Sequence, residues 1–203
     1  MIAIVDYGVG NLFSLISSFK KIGADISVTS DPSVIRAADR IILPGVGAFE
    51  DAAKKLRESG LDKVIIEEAA KGKKLMGICL GMQMLFEKSY EYGSHDGLGL
   101  LKGSVVAMQG SIPSGLKIPH IGWNALHFTR ESELFKNIKN NDCVYFVHSF
   151  YAVDCEDSLI ATAEYGKELT AAVQKGNIMG CQFHPEKSGE VGLNILRAFC
   201  EME

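Results

Sequence analysis

The segment Gly77–Gly81, which places a cysteine between two glycines, constrains the fold more than any other part of the sequence. The apolar residues before it predict a strand, and residues 82–86 after it predict the first turns of a helix. A nucleophile between two glycines at such a corner is the cysteine form of the nucleophile elbow. The glycines permit a sharp turn, and the N-terminus of the following helix favours the thiolate of Cys79. A buried structural cysteine is the alternative, which a partner base elsewhere in the chain would argue against.

Composition and charge limit the possible classes of function. The 203-residue chain is 47% hydrophobic and 23% charged, as in ordinary globular proteins, and we expect one domain spanning residues 1–203. A formal net charge of −4 offers no basic surface for nucleic acid. No apolar run reaches the roughly 18 residues of a membrane span, so we expect no membrane association. The five cysteines form no CxxC pair, which argues against a disulfide framework or a zinc site and predicts a cytoplasmic location.

The first half of the chain alternates short apolar runs with amphipathic segments. Strands are expected at 2–5, 26–29 and 41–43 and directly before the elbow, with helices between them. Such alternation predicts parallel strands joined by right-handed crossovers. In the second half, strand-like segments follow one another through short connections, and residues 164–168 predict a hairpin turn. The sequence therefore predicts an α/β fold: an open, mostly parallel sheet with helices on both faces and an antiparallel extension in the second half.

Three loops that contain glycine follow predicted parallel strands, at residues 8–11, at Pro44–Gly47 and at the Cys79 elbow. Open α/β sheets bind their ligands beyond the carboxyl ends of the strands. Each loop could be only a tight connection. Their expected position on one edge of the sheet makes that edge the candidate site.

Among the five histidines, His184 is the best candidate for the base that Cys79 requires. It ends a predicted strand, at the same edge of the sheet as the elbow, and a proline stops the strand directly after it. Glu186 can accept a hydrogen bond from the imidazole and orient it. His148 could line the pocket or be a buried core histidine, and a packing or interface role is favoured for His120.

The elbow and His184-Pro185-Glu186 together resemble the Cys-His-Glu triad of the class I (triad) glutamine amidotransferases. Within that class, finer motifs are similar to those of the glutaminase subunits of imidazole glycerol phosphate synthases, which serve histidine biosynthesis. These motifs are residues 6–11, 44–49, 77–83, 119–124, 145–149 and 182–188. The resemblance spans nearly the whole chain, and the segments 44–47 and 119–124 distinguish this type of subunit from the rest of the class.

The resemblance implies that the chain hydrolyses L-glutamine to glutamate and ammonia, with no metal or organic cofactor. Cys79 would be the nucleophile, His184 the base and Glu186 its orienting group. The backbone N–H of Leu80 would be one donor to the oxyanion of the tetrahedral intermediate. The loop Gly45-Val46-Gly47 would supply the second donor, because its glycines allow a peptide plane to flip.

The resemblance also implies substrate contacts from Gln83, Glu91 and the backbone of Ser149-Phe150. The family often has Tyr where this chain has Phe150, so a hydroxyl contact would be lost if one mattered. Gln83 as an ordinary exposed helix residue and Glu91 as a solvated charge are the alternatives. Candidate interface residues beside the active site are Asn11, Trp123, Tyr145 and Lys187. A lone tryptophan is equally often buried in its own core.

The implied partner is a (β/α)₈-barrel synthase subunit that forms a heterodimer with this chain. The barrel would use the ammonia to make imidazole glycerol phosphate and an aminoimidazole carboxamide ribotide. The nearest alternative is the glutaminase subunit of another amidotransferase, for anthranilate, pyridoxal phosphate or GMP synthesis. A stand-alone hydrolase of γ-glutamyl substrates is a further alternative. A non-enzymatic binding module is disfavoured, because it need not keep Cys79, His184 and Glu186 together.

Overall fold

The computed structural model describes residues 1–202. The first part of the chain alternates strands and helices as expected. Its elements are β1 (Ile2–Val5), α1 (Leu12–Lys21), β2 (Ile26–Thr29), α2 (Pro32–Ala37), β3 (Arg40–Leu43), α3 (Phe49–Glu58), α4 (Leu61–Ala70), β4 (Lys74–Ile78) and α5 (Leu80–Gln83).

The second part consists mainly of strands and ends in a long helix. Its elements are β5 (Phe86–Ser89), β6 (His95–Asp96), β7 (Leu101–Ala107), β8 (His120–Ala125), β9 (His127–Phe128), β10 (Cys143–His148), β11 (Phe150–Val153), β12 (Leu159–Glu164), β13 (Glu168–Lys175), β14 (Ile178–Cys181) and α6 (Gly189–Glu201). Short 3₁₀ turns lie at Glu133–Phe135 and Pro185–Lys187.

The main sheet has the strand order β2-β1-β3-β4-β14-β13-β12-β9. The pairs from β2 through β14 are parallel, whereas β13, β12 and β9 continue the sheet in antiparallel pairs. Strands β8 and β10 pair separately, and β11-β7-β5-β6 form a further small sheet. The predicted parallel sheet with its antiparallel extension is therefore confirmed, and so is the hairpin turn between β12 and β13.

Helices cover both faces of the main sheet. Ala3 and Val5 of β1 pack with α2, α3 and α4 in one core, and Ile2 and Ile4 pack with α1 and α6 in the other. A strand buried on both faces must be apolar at every position, which explains the uninterrupted apolar run 2–5. The two cores therefore lie on opposite faces of the main sheet.

The helix predicted after Gly81 is much shorter than expected. Helix α5 ends at Gln83, and Phe86 begins strand β5 instead of continuing the helix. The carbonyl groups of Met84 and Leu85 accept hydrogen bonds from the N–H groups of residues 98, 100 and 101. A short apolar run does not by itself distinguish a helix from a strand. The prediction of a helix over residues 82–86 was wrong because a distant segment binds this backbone.

Gly81 lets two backbone segments come into direct contact beneath the elbow. A Cβ atom built on Gly81 would lie 1.9 Å from the carbonyl oxygen of Leu43 at the end of β3. A Cβ atom on Gly77 would lie 2.5 Å from the carbonyl oxygen of Gly81. Neither glycine has a positive φ. Both are therefore required by the close contact of the backbone segments and not by a left-handed conformation.

We predict that Gly81→Ala lowers the free energy of unfolding by more than about 2 kcal/mol, because the rigid Leu43 backbone cannot yield to the added methyl group. Urea denaturation measures the change. Gly60→Asn is the matched control, since Gly60 has open space around its Cα and a left-handed conformation that asparagine tolerates. Equal stability of the two variants would contradict this account of the elbow.

Candidate active site

Cys79 occupies a strained position between β4 and α5. Its φ of 55° and ψ of −112° lie in a region that residues with side chains seldom adopt. Its N–H donates to the carbonyl of Cys181 over 2.7 Å, which fixes the elbow to the end of β14. Gln182 Nε2 lies 3.8 Å from Cys79 Sγ. Strain at a cysteine that borders a cavity favours a nucleophile over a structural core residue.

His184, which lines the same cavity as Cys79, forms a buried pair with Glu186. Nδ1 of His184 lies 2.7 Å from Oε1 of Glu186, and the two side chains are 3% and 1% exposed. The backbone N–H of His184 donates to the carbonyl of Tyr145 over 2.9 Å. Because the carboxylate accepts the Nδ1 hydrogen, Nε2 is left for Cys79.

The electrostatics of His184 favour its protonated form. Burial lowers the pKa of His184, but hydrogen bonds to Cys79 and Glu186 and the negative charges of both outweigh burial and raise the pKa to about 9. The four-residue α5 is too short to supply the helix dipole that was expected to act on the sulfur. The positive charge available near the sulfur is therefore that of protonated His184 and not that of a helix N-terminus.

Cys79 and His184 open into a cavity of about 330 Å³. This volume is within the usual range for small-molecule sites, about 300–1,000 Å³. Other predicted site residues that line the cavity are Val46, Gly47, Leu80, Gln83, Glu91, Ser149, Phe150 and Lys187. The structure thus brings the predicted catalytic, oxyanion and substrate residues to one place.

Gln83 is buried and is not an ordinary exposed helix residue. Its Nε2 donates to the carbonyl of Phe150 over 3.1 Å and to Oε1 of Gln182 over 2.9 Å. Both amide hydrogens are therefore used within the protein, and only the side-chain oxygen remains for a ligand. Gln182 was not predicted as a site residue, although it lies two residues before His184, directly after the end of β14.

Glu91 is also buried in the cavity wall and is not a solvated charge. Its Oε2 accepts the backbone N–H of Phe49 over 2.8 Å. Phe49 begins α3, whose preceding residue Ala48 provides no side-chain cap, so Glu91 caps this helix. Burial raises the pKa of Glu91, and the Phe49 hydrogen bond offsets part of this rise.

The predicted oxyanion donor at Leu80 is not free in this structure. The N–H of Leu80 donates to the carbonyl of Gly45 over 3.3 Å. A Cβ atom on Gly45 would lie 2.7 Å from the backbone nitrogen of Gly81, so the loop Gly45-Val46-Gly47 packs directly on the elbow. The structure describes a closed oxyanion site.

Trp123 is 57% exposed, which excludes burial in its own core. Its ring meets the edge of Tyr145 at 6.1 Å, and Lys187 Nζ lies 6.0 Å from the centre of the Tyr145 ring. Three of the four predicted interface residues are thus neighbours beside the cavity. Asn11 caps α1, where its Oδ1 accepts the N–H of Ser14.

The contact between two buried histidines was not predicted either. Nδ1 of His120 lies 3.1 Å from Nε2 of His148, and both side chains are almost wholly buried. The alternation of buried and more exposed residues along β8 and β10 could have suggested this contact. His120 and His148 are both at buried positions and lie opposite each other in the ladder.

Two properties of residues 1–202 bear on cofactors and membranes. None of their helices has the length and apolar character needed to cross a bilayer. Within the same residues, no cluster of three or more His, Cys, Asp or Glu side chains is placed to hold a metal ion.

Comparisons with known proteins agree with this geometry. A family profile described as "Glutamine amidotransferase class-I" matches residues 3–202. The protein named imidazole glycerol phosphate synthase subunit HisH of Oceanobacillus iheyensis is 52% identical over 204 residues, covering 100% of this chain and 99% of that protein. The subunit of the same name from Caldanaerobacter subterraneus is 50% identical over 203 residues, covering 100% and 98%. A solved structure described as a glutamine amidotransferase has a TM-score of 0.77 at 18% identity, covering 99% and 98%, which supports the fold alone.

We predict that Glu186→Gln lowers the pKa of His184, because the carboxylate that accepts its hydrogen is replaced by a neutral amide. The folded-state pKa of about 9 lies above the ordinary 6.5, so protonated His184 stabilises the fold. This stabilisation is complete below about pH 6.5 and is lost as the pH rises through about 9. The variant should be less stable than the wild type at the lower pH, and the difference should narrow toward the higher pH.

Urea denaturation at a series of pH values measures this difference. Glu168→Gln is the matched control, since Glu168 pairs with His127 at the surface. This pair should contribute less than about 0.5 kcal/mol to the free energy of unfolding. A difference between Glu186→Gln and the wild type that does not change with pH would contradict the prediction.

Proposed function

The chain belongs to the class-I glutamine amidotransferase family, and from this membership we propose how its residues share the hydrolysis of glutamine. Its function is that of the glutaminase subunit of an imidazole glycerol phosphate synthase in histidine biosynthesis, since relatives of that name match it over its full length. The observation that carries the assignment of roles is that Cys79 and His184 line one cavity while Nδ1 of His184 is bound to Glu186.

Cys79 Sγ attacks the side-chain amide carbon of glutamine, and His184 Nε2 holds the thiol proton. His184 then gives this proton to the departing ammonia, which leaves a γ-glutamyl thioester on Cys79. A water molecule activated by His184 hydrolyses the thioester to glutamate. Glu186 keeps the imidazole oriented and stabilises its charge, which the 2.7 Å hydrogen bond supports.

The substrate is held by Gln83, Glu91 and the backbone of Ser149-Phe150. Glu91 Oε2 is used by Phe49, so Oε1 is the oxygen offered to the α-ammonium group of glutamine. The Phe150 carbonyl already accepts from Gln83, which indicates that residue 150 acts through its backbone. On this basis Phe150 serves as well as the tyrosine that is common in the family.

Rotation of one peptide unit opens the oxyanion site. The carbonyl of Gly45 and the N–H of Val46 belong to the same planar peptide. Turning this peptide withdraws the carbonyl from the Leu80 N–H and swings the Val46 N–H toward the cavity. Leu80 and Val46 then provide the two oxyanion donors.

The partner is a cyclase subunit, and we assign to it a (β/α)₈ barrel that forms a heterodimer with this chain and receives the ammonia. The exposed Trp123, with its neighbours Tyr145 and Lys187 and with Asn11, forms the docking rim.

The match of the family profile to residues 3–202 supports a single domain. A cytoplasmic location is supported by the cysteines, all of which lie within the described residues and are free.

We predict that Cys79→Ala lowers the glutaminase kcat about 10⁴-fold or more without unfolding the chain, because it removes the nucleophile. Cys143→Ala is the matched control, since Cys143 is exposed and should leave the rate unchanged. Both are measured as glutamate released in the presence of the synthase partner. Turnover retained by Cys79→Ala would refute the assigned mechanism.

We predict that the isolated chain hydrolyses glutamine at least about 10²-fold more slowly than the complex with its barrel partner and ribotide, because the closed site lacks oxyanion donors. Steady-state rates with and without the partner and ribotide measure the activation. An isolated chain as fast as the complex would show that the Leu80–Gly45 hydrogen bond does not limit the activity.

A further inference from the structure

The buried histidines His120 and His148 belong to a continuous chain of hydrogen bonds that ends at the cavity. Asn124 Nδ2 lies 3.3 Å from Nε2 of His120, and Nδ1 of His120 lies 3.1 Å from Nε2 of His148. Nδ1 of His148 lies 2.9 Å from the carbonyl oxygen of Phe150. The chain therefore joins strand β8 to the segment that lines the substrate cavity.

The direction of every hydrogen bond in this chain is fixed by Asn124. Its Oδ1 accepts the N–H of Ala125 over 2.9 Å, and its Nδ2 also donates to the carbonyl of Glu164 over 2.7 Å. Nε2 of His120 must then accept from Asn124, so His120 donates through Nδ1. His148 accepts this hydrogen at Nε2 and donates through Nδ1 to Phe150.

All the hydrogen bonds of this chain can form together only when both imidazole rings are neutral. A second proton on His148 would place two N–H groups against each other, and a second proton on His120 would face the amide hydrogens of Asn124. Within residues 1–202, no carboxylate acts on either ring. His120 is stacked between Phe146 at 4.9 Å and Tyr165 at 4.2 Å. Burial lowers the pKa of both histidines, to about 3 for His148, which also faces the charge of His184.

We propose that His120 and His148 are positioning residues of glutamine hydrolysis: they form a neutral pair with fixed tautomers that holds the Phe150 carbonyl, and so the Ser149-Phe150 backbone, in place for glutamine. The inference rests on the proposed function, in which this backbone binds the substrate. Gln83 donates to the same carbonyl, so His148 and Gln83 hold it from two directions. His148 remains uncharged beside His184, which leaves His184 as the cationic partner of Cys79.

The kinetic test compares two substitutions of His148 in the complex with the synthase subunit. His148→Phe keeps a planar ring but cannot donate to Phe150, and His148→Asn keeps a donor near the position of Nδ1. We expect His148→Phe to raise the KM for glutamine about tenfold while kcat changes less than about threefold. His148→Asn should return the KM to within about threefold of the wild type. His127→Asn, at a histidine on the surface, is the control and should change neither constant.

A spectroscopic test needs no activity. In ¹⁵N-histidine NMR spectra at about pH 7, both rings should be neutral with their hydrogen on Nδ1. An imidazolium at either residue, or a hydrogen on Nε2 of His148, would overturn the proposal. If His148→Phe does not fold, His120→Phe removes the donor to Nε2 of His148 and should still raise the KM for glutamine.

The two proposals fail in different ways. Activity retained by Cys79→Ala would refute the catalytic assignment while the NMR result stood unaffected. An active wild type with an inactive Cys79→Ala would uphold that assignment. In that case, an unchanged KM in His148→Phe, or a loss confined to kcat, would refute the positioning role of the histidine pair.

Discussion

The site depends above all on the parallel pairing of β4 with β14. Cys181 lies opposite Ile78, and the N–H of Cys79 donates to the Cys181 carbonyl, so both strands end at the same level. This register brings Cys79 and His184, which are far apart in the sequence, to one edge. β14 is also the strand at which the sheet changes from parallel to antiparallel pairing. The nucleophile comes from the parallel part of the main sheet, whereas the cavity wall at residues 147–150 comes from β10 and β11, which belong to the two smaller sheets.

Two histidines beside the same cavity have opposite pKa shifts because their partners differ. His184 faces Glu186 and Cys79, and these negative groups outweigh the effect of burial and raise its pKa to about 9. His148 has only a carbonyl and a neutral imidazole as partners, so burial dominates and lowers its pKa to about 3. Burial alone would keep either ring neutral. The positions of Cys79 and Glu186 thus determine which of the two histidines carries a positive charge.

The sequence was a good guide where local pattern and tertiary structure agree. Apolar runs predicted the central strands, and glycine spacing predicted the elbow, because a strand buried on both faces and a close backbone contact each require particular residue types. It failed over residues 82–86, where the backbone bonds to a segment about fifteen residues away. Trp123 could not be assigned to the core or the surface, since a single tryptophan does not form a repeating pattern of apolar residues. The cap that Glu91 provides for α3 and the histidine pair depend on contacts between distant segments.

The closed oxyanion loop is fixed at both ends, which confines any change to its middle. Tyr7 Oη donates to the carbonyl of Pro44 over 2.7 Å, and Glu91 holds the N–H of Phe49 over 2.8 Å. Between these anchors, the Leu80–Gly45 hydrogen bond, at 3.3 Å, is the one that residues 1–202 make to the Gly45–Val46 peptide. Rotation of that peptide therefore requires the loss of one long hydrogen bond, while the elbow and α3 stay in place. Gly47 has a φ of 92°, a conformation that favours glycine. In the mechanism proposed above, one peptide carries both the blocking carbonyl and the Val46 N–H, so that opening the site and completing it are the same movement.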